Sequence, residues 1–204
     1  MIQQQPTVFV IDDEQAMRES LKMLIEMIGL NVKTYSRADD FLNFYDRQMH
    51  GCLVVDVRLP GMSGLELQEK LVQEGVKLPV IIITGHGDVP MAVQAMKMGA
   101  FNFIEKPFRD QVLIDNIQRA IDLDAQLSQQ QDKWIENKKR LASLTPRERE
   151  ILDLLITGRP NKAIAFDLGI SQKTVDFHRA NILKKMKVQS VVELVRLVGS
   201  METG

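Results

Sequence analysis

The sequence predicts an α/β domain with a parallel sheet, followed by a small all-α domain. Two observations support this prediction: short apolar runs alternate with helical patterns as far as Pro107, and every pattern after that point is helical. Strands separated by helices of about ten residues indicate βαβ units, and therefore a parallel sheet covered by helices on both faces. A length of 204 residues accommodates one medium domain and one small one.

The first domain contains five candidate strands. The apolar strands among them are continuous rather than alternating, which fits the buried centre of such a sheet. The strands cover residues 7–11, 32–35, 52–55, 79–83 and 102–104, and the helices between them cover residues 16–27, 38–48, 64–73 and 89–98. With a fifth helix from Asp110, the pattern predicts the flavodoxin-like arrangement with sheet order 2-1-3-4-5, whose ligands bind at the carboxyl ends of the strands.

A long helical linker and four further helices are predicted after the sheet. The fifth helix continues to about residue 141 and becomes polar after residue 126, which is typical of a solvated connecting helix or of a weak coiled coil between protomers. We expect a solvated helix that pairs between protomers only when the dimer forms. Thr145, Pro146 and Glu148 form a capping-box start, and Asn161 and Ser171 are expected to cap the next two helices. The predicted domains are therefore 1–123 and 144–204, with a linker over 124–143.

The composition excludes several classes of protein. The net charge of −1 divides into −5 for residues 1–123 (12 Lys and Arg against 17 Asp and Glu) and +3 for residues 144–204 (10 against 7). Such an asymmetry is expected when two parts have separate functions. No apolar run is long enough to span a membrane and no basic region opens the chain, so we expect a cytoplasmic protein. The single cysteine, Cys52, excludes an internal disulfide.

Charged and polar residues close four of the candidate strands. Asp12 and Asp13 follow the first strand, Asp56 follows the third, and Thr84 and Lys106 follow the fourth and fifth. Because the carboxyl ends of parallel strands are neighbours, three carboxylates should converge on one pocket. They would repel each other without a cation, and Mg²⁺ is the natural ion for such oxygen ligands. A nucleophilic carboxylate, a hard metal and a lysine together suit the acceptance of a phosphoryl group.

Four segments around these residues resemble the receiver domains of two-component systems: 10–14 (VIDDE), 54–64 (VVDVRLPGMSG), 83–87 (ITGHG) and 105–108 (EKPF). The resemblance covers about residues 5–122. It implies that Asp56 is the phosphoacceptor, which attacks a phosphohistidine of a sensor histidine kinase. It also implies that Asp12 and Asp13 hold Mg²⁺ together with Asp56 and the main-chain carbonyl of Arg58.

The same resemblance implies a switch and a dimer face. Lys106 would pair with the phosphoryl oxygens, and Thr84 would move to meet them. Phe103 stands where many receivers have the tyrosine partner of that switch, and an ordinary core phenylalanine is the alternative. Residues 87–100 (GDVPMAVQAMKMGA) are similar to the FixJ branch, in which phosphorylation makes the fourth helix and fifth strand dimerise. The candidate dimer face is therefore Val89, Val93, Met96 and Ile104, with a plain core helix as the alternative.

Segments 144–150 (LTPRERE), 161–165 (NKAIA) and 168–175 (LGISQKTV) resemble the LuxR-type four-helix DNA-binding domain, over about residues 141–201. Two helices joined by a short glycine turn form a helix-turn-helix, whose second helix enters the major groove. Here that helix covers residues 172–186, and Val175, Ile182 and Met186 form an apolar stripe that should face the core.

The remaining residues of that helix should face DNA. We expect Phe177 to cover a thymine methyl group or a sugar, and Asp176 either to accept from a cytosine amine or to pair with a basic neighbour. Basic residues would contact phosphates without specifying sequence, and Lys187 is one of them. The candidate DNA contacts are Lys162, Lys173, Thr174, Asp176, Phe177, His178, Arg179, Ala180, Lys184 and Lys185.

The combined motifs identify the chain as a member of the FixJ/NarL family of response regulators. The implied function is transcription regulation by a protein that is phosphorylated on an aspartate, dimerises and binds promoter DNA, with RNA polymerase as a further partner. Catalysis would be limited to self-phosphorylation and slow autodephosphorylation. DNA binding independent of phosphorylation and release of an interdomain inhibition are the alternatives. A phosphate sink would not need the C-terminal helices, and an output enzyme would need more than the lone His178 there.

Overall fold

A computed structural model describes residues 5–46, 48–85 and 89–202, so His86 and Gly87 of the third receiver-like segment lie outside the described residues. The chain divides into two compact units, residues 1–128 and 129–204, and the boundary falls within one long helix. The predicted domain limits at residues 123 and 143 stay predictions. No helix in the described part of the chain combines the length and the apolar character needed to span a membrane.

The first unit has the predicted α/β fold. Its parallel sheet has the order β2-β1-β3-β4-β5, which confirms the flavodoxin-like arrangement. The strands are β1 (Thr7–Ile11), β2 (Asn31–Tyr35), β3 (Gly51–Asp56), β4 (Val80–Thr84) and β5 (Asn102–Glu105). The helices are α1 (Gln15–Met27), α2 (Ala38–Phe44), α3 (Gly64–Gln73), α4 (Val89–Lys97) and α5 (Asp110–Ala142).

The sheet separates two apolar cores, because successive strand side chains point to opposite faces. Phe9 and Leu53 pack on one face with Phe41 of α2 and Leu67 of α3. The other face contains Val8, Val10, Cys52, Val54, Ile81 and Ile83, which pack against α1 and α5. Both faces of the central strands are buried, as their continuous apolar sequences predicted.

Helix α2 is shorter than its sequence pattern predicted. It ends at Phe44, whereas the pattern extended to about residue 48. Tyr45 leaves the helical conformation with φ −68° and ψ 131°, and its ring packs against Phe9 and Phe41. Aromatic packing against the sheet therefore ends the helix earlier than local propensity indicated.

The second unit is helical, as predicted, with a helix-turn-helix formed by α7 and α8. Its elements after α5 are α6 (Pro146–Leu155), α7 (Asn161–Asp167), α8 (Gln172–Met186) and α9 (Val191–Glu202). Thr145 caps α6 through the predicted capping box with Glu148, and Ser171 caps α8. The prediction for Asn161 was wrong: Pro160 is the N-cap of α7, and Asn161 is its first helical residue.

The last turns of α5 belong to this second unit. Leu141 packs against its apolar core, and Arg140 Nη1 donates to the carbonyl oxygen of Met186 at 3.4 Å. Glu136 pairs with Arg140 at 2.5 Å and with Lys187 at 3.5 Å. The end of the predicted linker is therefore packed against α8, whereas residues 129–136 are exposed, as the solvated helix requires.

Candidate functional site

The sheet brings the predicted acidic residues to one edge. Asp12 and Asp13 follow β1, and Asp56 is the last residue of the neighbouring strand β3. One carboxylate oxygen of each lies within 4.8 Å of the others. Asp12 and Asp56 are buried, whereas Asp13 is exposed. The predicted convergence of three carboxylates is present, and it leaves one of them open to solvent.

Lys106 lies between two of the three carboxylates. Its Nζ donates to Asp12 Oδ2 at 2.8 Å and to Asp56 Oδ2 at 2.6 Å. The backbone N–H of Lys106 donates to the carbonyl oxygen of Thr84 at 2.8 Å, so the ends of β4 and β5 lie side by side. Thr84 is buried at the end of β4. One lysine therefore compensates only part of the charge of three carboxylates.

The backbone around Asp56 is held in place by the start of α3. The Arg58 N–H donates to Asp56 Oδ1 at 3.0 Å, and the Gly64 N–H donates to the carbonyl oxygen of Val57 at 3.0 Å. A Cβ atom at Gly64 would lie 2.3 Å from the carbonyl oxygen of Asp56, so this position requires glycine. Ser63 caps α3 in a capping box with Glu66. Asp56 is thereby oriented by fixed backbone.

The electrostatics of the pocket follow from burial and from Lys106. Burial raises the pKa of Asp12, although hydrogen bonds from Lys106 and from the Glu14 N–H oppose this effect. Burial acts to lower the pKa of Lys106, but its hydrogen bonds with Asp12 and Asp56 outweigh burial, and the pKa of Lys106 is raised. Lys106 is therefore a permanent cation, placed among more negative charge than it neutralises.

The second unit presents α8 as predicted. Val175, Ile182 and Met186 are buried in its core, which confirms the apolar stripe. The opposite face of α8 is exposed and carries an aromatic ring, Phe177, with 63 % of its surface accessible. Its exposed residues include Lys173, Asp176, Phe177, Ala180 and Lys184, while Thr174, His178 and Arg179 are half-buried.

Comparison with known protein families assigns both units. Residues 8–118 match the response regulator receiver domain, and residues 142–198 match the bacterial regulatory proteins of the luxR family. This chain belongs to the response regulators with a LuxR-type DNA-binding domain. The family predicted from the motifs is thus confirmed, and the regulator is FixJ-like in both of its parts.

Full-length relatives support the same assignment. The chain is 48 % identical to the transcriptional regulatory protein FixJ of Azorhizobium caulinodans, over 93 % of this chain and 90 % of that protein. It is 45 % identical to the response regulator protein TmoT of Ectopseudomonas mendocina, over 97 % and 90 %. The solved structure of the response regulator StyR has a TM-score of 0.88 and 45 % identity, with 97 % of this chain and all of that one covered.

The predicted switch and dimer residues of this response regulator differ in their exposure to solvent. Phe103 is half-buried and packs against the α2 and α3 side of the sheet. Val89, Val93 and Met96 on α4 are exposed, with accessible fractions of 77, 45 and 48 %. Ile104 is only 6 % accessible and packs in the core against α1 and α5. Ile104 is therefore wrong as a surface residue, because its strand position points into the sheet core.

One predicted DNA contact of this response regulator has an internal partner instead. Lys185 Nζ donates to Glu148 Oε2 at 2.6 Å and to the carbonyl oxygen of Ser143 at 3.3 Å. Glu148 is 4 % accessible and also accepts from the Thr145 N–H at 2.8 Å. Lys185 therefore neutralises a buried carboxylate, and we correct its prediction as a phosphate contact. Lys162 remains exposed, as the prediction requires.

Sequence reasoning missed several residues that position the site residues. Arg18 Nη1 donates to the carbonyl oxygen of Asp12 at 2.7 Å, which fixes the end of β1 from α1. Asn161 Nδ2 donates to Asp176 Oδ1 at 2.6 Å, which links α7 to α8. Asn161 was assigned only to a local cap, and no local pattern connects residues 15 positions apart on different helices.

Proposed function

We propose that this response regulator is phosphorylated on Asp56 by a sensor histidine kinase in the cytoplasm, then dimerises and binds promoter DNA to regulate transcription. The observation that carries the proposal is the carboxylate pocket with Lys106, in a chain that also has an exposed helix-turn-helix. Relatives named as transcriptional regulators support the same role. RNA polymerase is the further partner that such a regulator requires.

Of the three carboxylates, Asp56 is the acceptor that the resemblance to receiver domains implies, and it is 8 % accessible. Asp12 is fully buried and accepts from both Lys106 and the Glu14 N–H. In the transfer, an Asp56 carboxylate oxygen forms the new P–O bond while the P–N bond of the kinase phosphohistidine breaks and the imidazole leaves. Lys106 lies 2.6 Å from Asp56 and would pair with the charge of the incoming phosphoryl group.

The donor set fits Mg²⁺. Three carboxylates offer oxygen atoms within 4.8 Å of one another, and hard divalent cations prefer such ligands. Asp12, Asp13, Asp56 and the main-chain carbonyl of Arg58 would hold the ion. Bound Mg²⁺ would neutralise the negative charge that the carboxylates and the phosphoryl oxygens bring together. Exposed Asp13 gives the ion a ligand at the open side of the pocket.

Phosphorylation would act through the surface next to the pocket. Thr84 ends β4, and Lys106 and Phe103 lie on or next to β5, so new phosphoryl contacts would shift these two strand ends. Helix α4 presents Val89, Val93 and Met96 to solvent, and the burial of such side chains favours association. Dimerisation would then place two copies of α8 on paired half-sites, which increases affinity through valency.

The DNA contacts would come from α8 and the start of α7. Lys162, Lys173 and Lys184 are exposed and suit phosphate contacts, with Arg179 beside them and Lys187 at the end of α8. Phe177 suits a thymine methyl group. Thr174, Asp176, His178 and Ala180 complete the proposed DNA-facing set.

The test is the oligomeric mass of the full-length protein in Mg²⁺, with and without beryllofluoride as a phosphoryl mimic. Wild type should change from monomer to dimer, and Asp56→Asn should stay monomeric under both conditions. Asp40→Asn, which alters an exposed carboxylate on α2, is the matched control and should behave like wild type.

The outcomes separate the mechanisms. A mass that is unchanged in wild type would contradict the dimer switch and favour release of an interdomain inhibition or assembly on DNA. Equal DNA affinity with and without beryllofluoride would contradict control by phosphorylation altogether and favour a constitutive DNA-binding regulator. A dimer that also forms in Asp56→Asn would exclude Asp56 as the acceptor.

A further inference from the structure

One carboxylate lies on the exposed face of the helix-turn-helix, where basic residues would be expected. Asp176 is the fifth residue of α8, and its neighbours Lys173 and Phe177 are exposed with it. The N-terminal residues of such a helix are those that contact base edges in the major groove. A carboxylate at this position enters a region bordered by phosphates, so it weakens binding unless it meets a hydrogen-bond donor.

The structure shows how this carboxylate is held. Asn161 Nδ2 donates to Asp176 Oδ1 at 2.6 Å, from the first residue of α7. Within the described parts of the chain, no basic nitrogen lies within 4.0 Å of the Asp176 carboxylate. The Asp176 carboxylate is therefore oriented by a neutral amide and not by a cation. This contact takes the place of the basic neighbour that the sequence suggested as one of two roles for Asp176, and it leaves the other role, acceptance from a cytosine amine, open.

The side chain of Asn161 is committed to this contact. Asparagine at a helix start commonly caps the helix, but α7 has no side-chain cap hydrogen bond, and Pro160 occupies the N-cap position. The amide instead bridges the two helices of the helix-turn-helix. Among the residues that the structure describes, only Oδ1 of Asp176 has a hydrogen-bond donor, so Oδ2 remains available as an acceptor on this exposed residue.

The base edges in the major groove differ in whether they can donate a hydrogen bond to the Asp176 carboxylate. Cytosine presents its N4 amino group there, and a carboxylate accepts from it. Adenine presents its N6 amino group beside the N7 acceptor, which repels a second carboxylate oxygen. Guanine and thymine present only acceptors or a methyl group at their own edges. A carboxylate held in one orientation is therefore matched to cytosine.

We propose that Asp176 is a specificity-determining residue that reads one cytosine in each half-site, and that Asn161 is its positioning residue. This inference rests on the proposed DNA-binding function and adds a base identity to it. Basic residues around Asp176 contribute affinity for any sequence, whereas Asp176 makes binding to sequences without that cytosine less favourable.

The experiment is a selection from a random duplex library by the full-length, beryllofluoride-activated protein at one fixed salt concentration. The wild-type motif should contain one cytosine per half-site that depends on Asp176. In Asp176→Asn the preference at that position should change from cytosine to a purine, because the atom that faces DNA becomes the amide nitrogen Nδ2, which donates to N7. The new side chain still accepts from Asn161 through its Oδ1, so the contact between α7 and α8 is preserved.

Two further variants complete the test. Asn161→Ala should keep the cytosine but reduce the discrimination between cytosine and adenine duplexes, by about tenfold in the ratio of their Kd values. Asp153→Asn, which alters an exposed carboxylate on α6, should return the wild-type motif. A wild-type motif from Asp176→Asn, or a uniform loss of affinity without a change of motif, would overturn the inference and leave the proposed function intact. Enrichment of no sequence by wild type would overturn both.

Discussion

Each unit of this regulator buries a lysine–carboxylate contact, and the two differ in charge balance. In the receiver, Lys106 lies 2.8 Å from Asp12 and 2.6 Å from Asp56, with Asp13 in the same group. In the DNA-binding unit, Lys185 lies 2.6 Å from Glu148 alone. The first set retains excess negative charge, while the second is neutral as a pair.

The charge balance of each set determines the direction in which the pKa of its buried carboxylate shifts. Burial raises the pKa of Asp12 despite the hydrogen bond from Lys106, and the charge of Asp56 adds to the effect of burial. Burial acts to raise the pKa of Glu148 too, but hydrogen bonds from Lys185 and Thr145 outweigh it, and the pKa of Glu148 is lowered. The same kind of lysine–carboxylate contact therefore leaves charge that a bound cation would neutralise in the receiver, whereas in the second unit it is a structural contact.

Removal of the lysine from the balanced pair should have the largest effect on stability. Lys185→Met leaves Glu148, which is 4 % accessible, without its cation, and should lower the free energy of unfolding of the second unit by about 3 kcal/mol. Urea unfolding followed by Trp134 fluorescence measures this, because Trp134 is the single tryptophan and lies in that unit. Lys187→Met, at an exposed pair, should change it by less than about 0.5 kcal/mol. Equal losses of unfolding free energy in Lys185→Met and Lys187→Met would contradict the distinction between a buried and an exposed ion pair.

In the receiver, the set of Lys106 with Asp12, Asp13 and Asp56 is unbalanced in charge, and its stability should depend on Mg²⁺. At a Mg²⁺ concentration about 100 times its Kd, the free energy of unfolding of the receiver should rise by about 2.7 kcal/mol. The gain should shrink in Asp13→Asn by about 1.4 kcal/mol for each tenfold loss of affinity. Tyr35 and Tyr45, the only tyrosines, report receiver unfolding in a Trp134→Phe background. Asp122→Asn, at an exposed position on α5, should keep the full gain, and a gain preserved in Asp13→Asn would exclude Asp13 as a ligand.

The unbalanced set was predictable from sequence, and the balanced pair was not. Asp12, Asp56 and Lys106 each follow an apolar strand, so the parallel sheet alone brings them to one edge. Lys185 and Glu148 lie 37 residues apart on two helices, and no repeat or local spacing links them. Their pairing depends on how α6 and α8 pack, which composition and periodicity do not determine.

Errors at single residues have the same physical origin. The edge strand β5 buries Ile104 but leaves Phe103 half-buried and Glu105 exposed, and a short apolar run does not show which of its side chains reach the surface. Asn161 satisfies a local capping pattern, but its amide forms a tertiary contact with Asp176 instead. Local rules identified these elements and their order, whereas the partners of individual side chains required the packed structure.

The pH dependence of stability should show what determines the direction in which a buried carboxylate's pKa shifts. Glu148 is paired with Lys185, whereas Asp124 is buried without a lysine. Glu148 has a lowered pKa, so its stabilising contribution is full above pH 4.5 and is lost as pH falls below 4.5 through the folded pKa. Asp124 of α5 is buried without a lysine, and burial raises its pKa. Its contribution is full below pH 3.8 and is lost as pH rises above 3.8 through the folded pKa.

The two carboxylates should therefore respond oppositely when wild type is compared with the amide variants in buffer containing a metal chelator. Wild type should lose stability relative to Glu148→Gln in the second unit as the solution becomes acidic. It should lose stability relative to Asp124→Asn in the receiver as the solution becomes neutral, with His50 at 3.4 Å from Asp124 reducing the effect where it is protonated. Parallel trends would mean that burial dominates at both sites.

The smallest expected effect concerns Arg140, which places a further basic side chain near the end of α8. Its Nη1 donates to the carbonyl oxygen of Met186 at 3.4 Å, and cations near a helix C-terminus are stabilising. Arg140→Ala should therefore lower the free energy of unfolding of the second unit by about 0.5 kcal/mol. Urea unfolding followed by Trp134 fluorescence is again the measurement.

Lysine at the same position distinguishes charge from geometry. The buried Nε of Arg140 has no hydrogen-bond partner among the described residues, which offsets part of what the guanidinium contributes. Arg140→Lys keeps a cation near the end of the helix and removes that unsatisfied donor, so its stability should equal or exceed that of wild type. A loss as large as that of Arg140→Ala would show that the planar guanidinium, with its contacts to Glu136 and Asn137, is required. In that case the end of α5 would be held to α8 by hydrogen-bond geometry, unlike the charge-determined pair of Lys185 and Glu148.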